Sequence, residues 1–281
     1  TIMPGLSKES TDSGELNVSL EDGNKAPSRN RCAKAKETVD KNGLLAAPLV
    51  TYPLWMRISD RKEERSRLIF LMRNAERVDR IFGTDWLDTE LVDGKVRADD
   101  QNIPPSLAKL SQFTTFELDS PITSIGHYTT KLVARGLAQR GAAPRLIVCS
   151  PALRCVQTAI AAAEYFKAKV CIEWGLAEPR EWFRNADGQC LAPPHVTPEQ
   201  LKQLGFPIDI EYYPVISREQ FEEKGNLESE LDSKLRIDFV LRYLGSMERR
   251  GPLLLVSHAL TLDIAVKIAE SCKSSEEASE A

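Results

Sequence analysis

The chain has 281 residues, 42% hydrophobic and 28% charged, which is the balance of a soluble globular protein long enough to bury a sizeable core. A net charge of -4 argues against a nucleic-acid partner, which needs a one-sided excess of Lys and Arg, so any phosphate binding must be local. Six cysteines without a CxxC pair suit reduced core residues in a cytoplasmic protein with no metal site or other cofactor, and no run of about 18 apolar residues or basic leader marks a membrane span or signal peptide.

Residues 1–48 lack aromatic residues and cannot bury enough apolar surface to offset chain entropy, so they read as a disordered linker. Residues 49–66 contain Tyr52 and Trp55 in an apolar patch and read as a docking segment; a folded domain follows over 67–272. Leu68 to Met72 form an unbroken apolar run, predicting a strand buried on both faces, and the run ends in Arg73-Asn74-Ala75-Glu76-Arg77. Val78 to Phe82 are helical in character and stop at Gly83. Residues 84–120 have no clean period and read as a long excursion.

Thr123-Ser124 caps a helix over 125–140, with Leu132, Val133 and Leu137 as its apolar positions. Leu146 to Cys149 is the second strand, after which Ser150-Pro151 opens a helix through Val156, Ala159 and Ala163. Val170 to Trp174 is the third strand, and the proline-rich stretch 175–226 reads as irregular lid structure. A helix over 227–249 carries Leu231, Leu235, Phe239, Val240 and Leu244 on the predicted buried face. Leu253 to Val256 is the fourth strand and delivers Ser257-His258; Leu260 to Ile268 begins the last helix, leaving 273–281 as a polar, frayed tail. Alternating strands and helices predict a three-layer α/β/α sandwich with a mainly parallel sheet.

Three of the four strand ends carry residues typed for phosphate chemistry: Arg73 and Arg77, Arg154, and His258. Guanidinium forks bind phosphate oxygens in pairs, and open α/β sheets bind ligands at strand carboxyl ends. Each residue alone is more often structural or on the surface; their recurrence at strand ends is what points to a site. A cysteine-based phosphatase loop does not fit, because Cys149 stands in a Cys-x4-Arg string to Arg154 without the glycines such a loop needs.

The strings Arg73-x-Ala75-Glu76-Arg77-Val-Asp-Arg80, Ser150-Pro-Ala-Leu-Arg154-Cys-Val-Gln-Thr158, Gly175-Leu-Ala-Glu178 and Val256-Ser-His258-Ala resemble the histidine phosphatase (phosphoglycerate mutase-like) superfamily. Within it they are most similar to the Sts/TULA-type protein tyrosine phosphatases and the ecdysteroid-phosphate phosphatases. The resemblance implies a phosphoglycerate mutase-like fold in which Arg73, Arg77 and Arg154 hold phosphate, Glu178 protonates the leaving oxygen and His258 donates a hydrogen bond to the phosphoryl group. Glu173 and Glu181 are close enough in sequence to leave the identity of the acid open.

In that family a histidine follows the first arginine and attacks phosphorus; here the position is Asn74. An amide nitrogen has its lone pair delocalised into the carbonyl and cannot form a phosphoenzyme. The resemblance and this departure together predict a pseudophosphatase that binds a phosphorylated small molecule or a phosphoprotein and works as a signalling scaffold. The alternative is a phosphomonoesterase, acting on protein phosphotyrosine or a steroid phosphate, with weak activity or an altered nucleophile. The resembling domains also continue past the helix after their second histidine, so the short ending predicts an uncovered edge or apolar face and a marginally stable domain that either self-associates as a homo-oligomer or needs a partner.

Overall fold

A computed structural model describes residues 68–92, 95–96, 100–184, 187–224, 228–248 and 251–280; the expected linker (1–48) and docking segment (49–66) lie outside them. Along the chain run β1 (Ile69–Arg73), α1 (Val78–Ile81), α2 (Trp86–Glu90), β2 (Leu91–Val92), β3 (Lys95–Val96), α3 (Leu107–Leu110) and α4 (Ser124–Gln139). They are followed by β4 (Leu146–Cys149), α5 (Leu153–Phe166), β5 (Lys169–Ile172), α6 (Pro198–Gln203), α7 (Arg218–Lys224), α8 (Glu230–Ser246), β6 (Leu253–Ser257) and α9 (Ala259–Glu280). The main sheet is parallel, in the order β1-β6-β4-β5, while β2 and β3 form a small antiparallel hairpin.

Side-chain alternation in the strands builds the layers. Ile147, Cys149, Val170, Ile172, Leu254 and Val256 face one way and pack with Val156, Ala159 and Ala163 of α5. Val148, Cys171, Leu253 and Leu255 face the other way and pack with Ile237, Val240, Leu241 and Leu244 of α8 and Ile264 of α9. The result is a three-layer α/β sandwich.

The structure corrects the sequence reading at four places. β1, read as buried on both faces, is an edge strand of only partial burial with Leu71 exposed, whereas β6 is buried along its whole length. The buried face of α8 is Ser233, Ile237, Val240, Leu241 and Leu244, whereas Leu231, Leu235 and Phe239 are exposed. On α4 the buried positions are Gly126, Thr130 and Ala134, and Leu132 and Val133 face outward. The tail does not fray at 273, since α9 continues to Glu280; Lys, Glu and Ala are strong helix formers.

Small residues set two close approaches near the strand ends. A Cβ on Gly126 would stand 2.8 Å from the Glu76 carbonyl oxygen, so glycine lets α4 start directly against the chain leaving β1. A Cβ on Gly175 would meet Val240 Cγ2 at 2.5 Å, so glycine lets the turn after β5 press onto α8.

Candidate phosphate site

Hydrogen bonding continues past the strand ends and aligns the residues that follow. Asn74 N–H donates to Ser257 O at 2.9 Å, Ser150 N–H to Val256 O at 3.1 Å and Glu173 N–H to Cys149 O at 2.8 Å. Asn74, Ser150 and Glu173, each held by its neighbour's backbone, therefore emerge with His258 at the carboxyl ends of the parallel strands.

Arg154 lies in the first turn of α5, its side chain 3% exposed. Fully buried Asp119 sits at the start of that helix: both its oxygens accept the Leu153 N–H at 2.9 Å, one accepts Arg154 Nη1 at 3.3 Å, and the other meets His195 Nδ1 at 3.0 Å. A carboxylate at a helix N-terminus satisfies an orphan N–H and complements the helix dipole. On the far side of the guanidinium, Arg154 Nη2 pairs with the Glu178 carboxylate and reaches His258 Nδ1 at 3.4 Å. His258 Nδ1 thus faces a donor, Arg154 Nη2, and an acceptor, Glu178 Oε1, at the same 3.4 Å, while Nε2 lies 2.8 Å from Ser150 Oγ, a hydroxyl that can donate or accept.

Burial, followed by the positive fields of Arg154, His195, Arg77 and Arg73, holds the His258 pKa well below the ordinary histidine range. The last two fields place both first-strand arginines within electrostatic reach of His258. Arg73 itself is exposed at the end of β1, and Arg77 is engaged by Asp79 at 2.8 and 2.5 Å. Asn74 is half-buried and donates its side-chain amide to Ala75 O at 3.0 Å, while Ala75 N–H donates to Thr158 Oγ1 at 3.0 Å. Glu76 accepts from Thr123 Oγ1 at 2.6 Å, which ties the same loop to the start of α4.

Of the three carboxylates open as an acid, Glu178 is the one against Arg154, with Oε1 3.4 Å from His258 Nδ1. Glu173 is fully buried and bound by Gly175 N, Tyr212 Oη, Val215 N and Ile216 N, so it anchors the lid instead. Glu181 lies in a short 3₁₀ turn beyond Glu178. Burial pushes the Cys149 thiol far above its usual range, and Cys155 is raised as well; neither is a thiolate nucleophile.

Two buried groups tilt the pH profile in opposite directions. His258 stays neutral when folded but titrates near the ordinary 6.5 when unfolded, so below that pH the unfolded chain binds the extra proton and stability falls with falling pH. Glu173 has its pKa raised, because burial outweighs its four hydrogen bonds, so its folded form takes up a proton first and gains stability as pH falls. His258→Gln removes the first effect and leaves the second. Its melting temperature should therefore fall less between pH 7 and 5 than that of the unaltered chain, by up to roughly 1.4 kcal/mol per pH unit in stability. Parallel curves in a thermal unfolding series would show that His258 charges without cost.

Sequence reasoning missed Asp119, which lies inside the stretch taken as a featureless excursion, and His195, hidden in the proline-rich lid. Histidine scarcity was the available signal: the chain has 3, and two of them meet the network around Arg154. Among the described residues no cluster of His, Cys, Asp or Glu could hold a metal ion, and no helix is long and apolar enough to cross a membrane.

Parallel strands, helices on both faces and an arginine–histidine cluster at the strand ends fit one family, and the chain matches its description, "histidine phosphatase superfamily (branch 1)", over residues 108–182. The chain carries a histidine phosphatase superfamily domain. It is similar to the ecdysteroid-phosphate phosphatase of Drosophila melanogaster, 30% identical over 210 residues, covering 73% of this chain and 27% of that protein. It is also similar to ubiquitin-associated and SH3 domain-containing protein A of Mus musculus, 36% identical over 158 residues, covering 54% of this chain and 25% of that protein. The chain thus spans about a quarter of these relatives' length. Among solved structures, the tungstate complex of the Bombyx mori ecdysone phosphate phosphatase matches with a TM-score of 0.59 at 26% identity, over 71% of this chain and 75% of that one.

Proposed function

We propose that this domain is a pseudophosphatase: it binds a phosphate monoester, on a small molecule or a phosphoprotein, and serves as a signalling scaffold without turning the ester over. The observation that carries the reading is Asn74 directly after β1, its N–H on the carbonyl of Ser257 beside His258, whose ring feels the fields of Arg73, Arg77 and Arg154. Arg154 is the anchor, since Asp119 fixes its orientation while Glu178 can yield its place to a phosphate oxygen. Neutral His258 keeps one ring N–H to donate, and Arg73 and Arg77 complete the positive surround. Asn74 supplies a hydrogen-bond donor where the chemistry requires an electron pair. Binding relatives of the phosphate group does not need that electron pair, so affinity persists where catalysis does not.

Tungstate, the ion held by the Bombyx mori relative, is the direct probe. A ligand bound only by the folded state adds about 2.7 kcal/mol at a hundred times its Kd. At about 2–4 °C per kcal/mol for a domain of this size, millimolar tungstate should raise the melting temperature by several degrees. Arg154→Lys keeps the charge but loses the planar fork and should remove most of the shift. No shift in the unaltered chain would mean that the pocket is not used for phosphate.

A further inference from the structure

Three well-buried arginines surround Phe221 and the phosphate site, and two of them have partners. Arg154 has Asp119 and Glu178; Arg236 has Glu228 at 2.6 and 2.9 Å and the carbonyls of Gly175 and Ala177. Arg180 is 7% exposed and forms no ion pair among the described residues, and its Nε is buried without a hydrogen-bond partner. Its guanidinium lies 4.8 Å from the Phe221 ring centroid, a contact that attracts the cation but satisfies none of its five N–H donors. A buried cation without an ion pair and with an N–H left unsatisfied is costly, and a native group in that condition points to a missing acceptor.

Arg180 stands where two cavities meet. The smaller one it shares with Arg154, Glu178 and His195. The larger, of about 390 Å³, is walled by Trp174, Pro193, His195, Arg218 and Phe221, with Arg218 stacked 5.3 Å over Trp174 and already paired with Glu222. Flat apolar walls and a guanidinium with an unsatisfied Nε therefore adjoin the place where the phosphate would sit, and the one carboxylate in the larger cavity's wall, Glu222, is paired with Arg218.

We propose that this cavity is a second anion subsite, which takes a carboxylate or second phosphate borne on the same molecule as the monoester at Arg154. The ligand's apolar body lies against Trp174 and Phe221, and Arg180 closes on its acid group as a two-pronged donor. The inference rests on the phosphate-binding reading above. It adds a preference for ligands with two anionic groups, whether small aryl phosphates or acidic phosphopeptides.

Calorimetry on the full chain can separate the two readings. The probes are phenyl phosphate, its three carboxyphenyl analogues, and two phosphotyrosine peptides flanked by either glutamates or glutamines. At least one acid-bearing probe should bind about tenfold or more tightly than its neutral counterpart, the scale of a charge-assisted hydrogen bond to a buried group. Preference within the aryl set identifies a small-molecule ligand, and preference within the peptides an acidic phosphopeptide. Arg180→Met should abolish the preference, leave phenyl phosphate affinity unchanged, and raise the melting temperature of the empty protein by removing the unpaired charge. Phenyl phosphate binding with no acid preference, a preference that survives Arg180→Met, or a lowered melting temperature in that variant would overturn the subsite while leaving the phosphate site standing. Failure of every probe to bind would overturn both.

Discussion

Asn74→His is expected to raise p-nitrophenyl phosphate turnover by several orders of magnitude over the unaltered chain. Loss of a nucleophile costs up to about 10^6-fold in rate, and the remainder comes from positioning and charge. Those remaining parts are built independently of the side chain at 74: its N–H is held by Ser257 O, the next residue by Thr158, and Arg154 by Asp119. A neutral imidazole placed there has an in-plane lone pair, and Glu178 lies close enough to His258 to share the phosphoryl neighbourhood. The measurement is steady-state turnover of both proteins, with thermal unfolding to establish that the variant is folded. A folded variant no faster than the unaltered chain would mean that the surrounding groups are not arranged for phosphoryl transfer, and the pseudophosphatase reading would lose its basis.

The parts of this fold that could be read from sequence were those in which one short-range rule operates alone. β4 and β6 are apolar runs buried on both faces, and the polar residues after them are abrupt enough to mark strand ends. The helices were harder. α8 has apolar residues around most of its circumference, so Leu231, Leu235 and Phe239 compete with Ile237, Leu241 and Leu244 for the inward face, and only the sheet decides between them. α4 packs through Gly126, Thr130 and Ala134, because close approach to the Glu76 backbone and α5 favours small side chains over large ones. The site divides similarly. Arg154, Glu178 and His258 announced themselves by their strings and do meet. Asp119, His195 and Arg180 are joined to them only through chain segments far apart in sequence, and no local pattern records that.

Asp119→Ala should destabilise the domain by about 3–5 kcal/mol, a large part of the total for a protein of this class. Asp119 is fully buried and supports three things at once: the first N–H of α5, one side of the Arg154 guanidinium, and the His195 ring. Truncation leaves Arg154 with Glu178 alone, and that carboxylate is the more exposed of the pair, 19% against 1%. The helix start also loses its acceptor, and an uncapped N-terminus costs about 1 kcal/mol by itself. Asp119→Asn should fall between the unaltered chain and Asp119→Ala, because its carbonyl oxygen can still accept the Leu153 N–H while its amide nitrogen takes the place of one oxygen and faces either Arg154 or His195 with hydrogens. Urea unfolding gives the stability difference, and the tungstate shift gives the functional one: a misaimed Arg154 should weaken the oxyanion as well as the fold. Loss of less than about 1 kcal/mol in Asp119→Ala would show that Glu178 alone can hold Arg154, and the central place given to Asp119 would have to be abandoned.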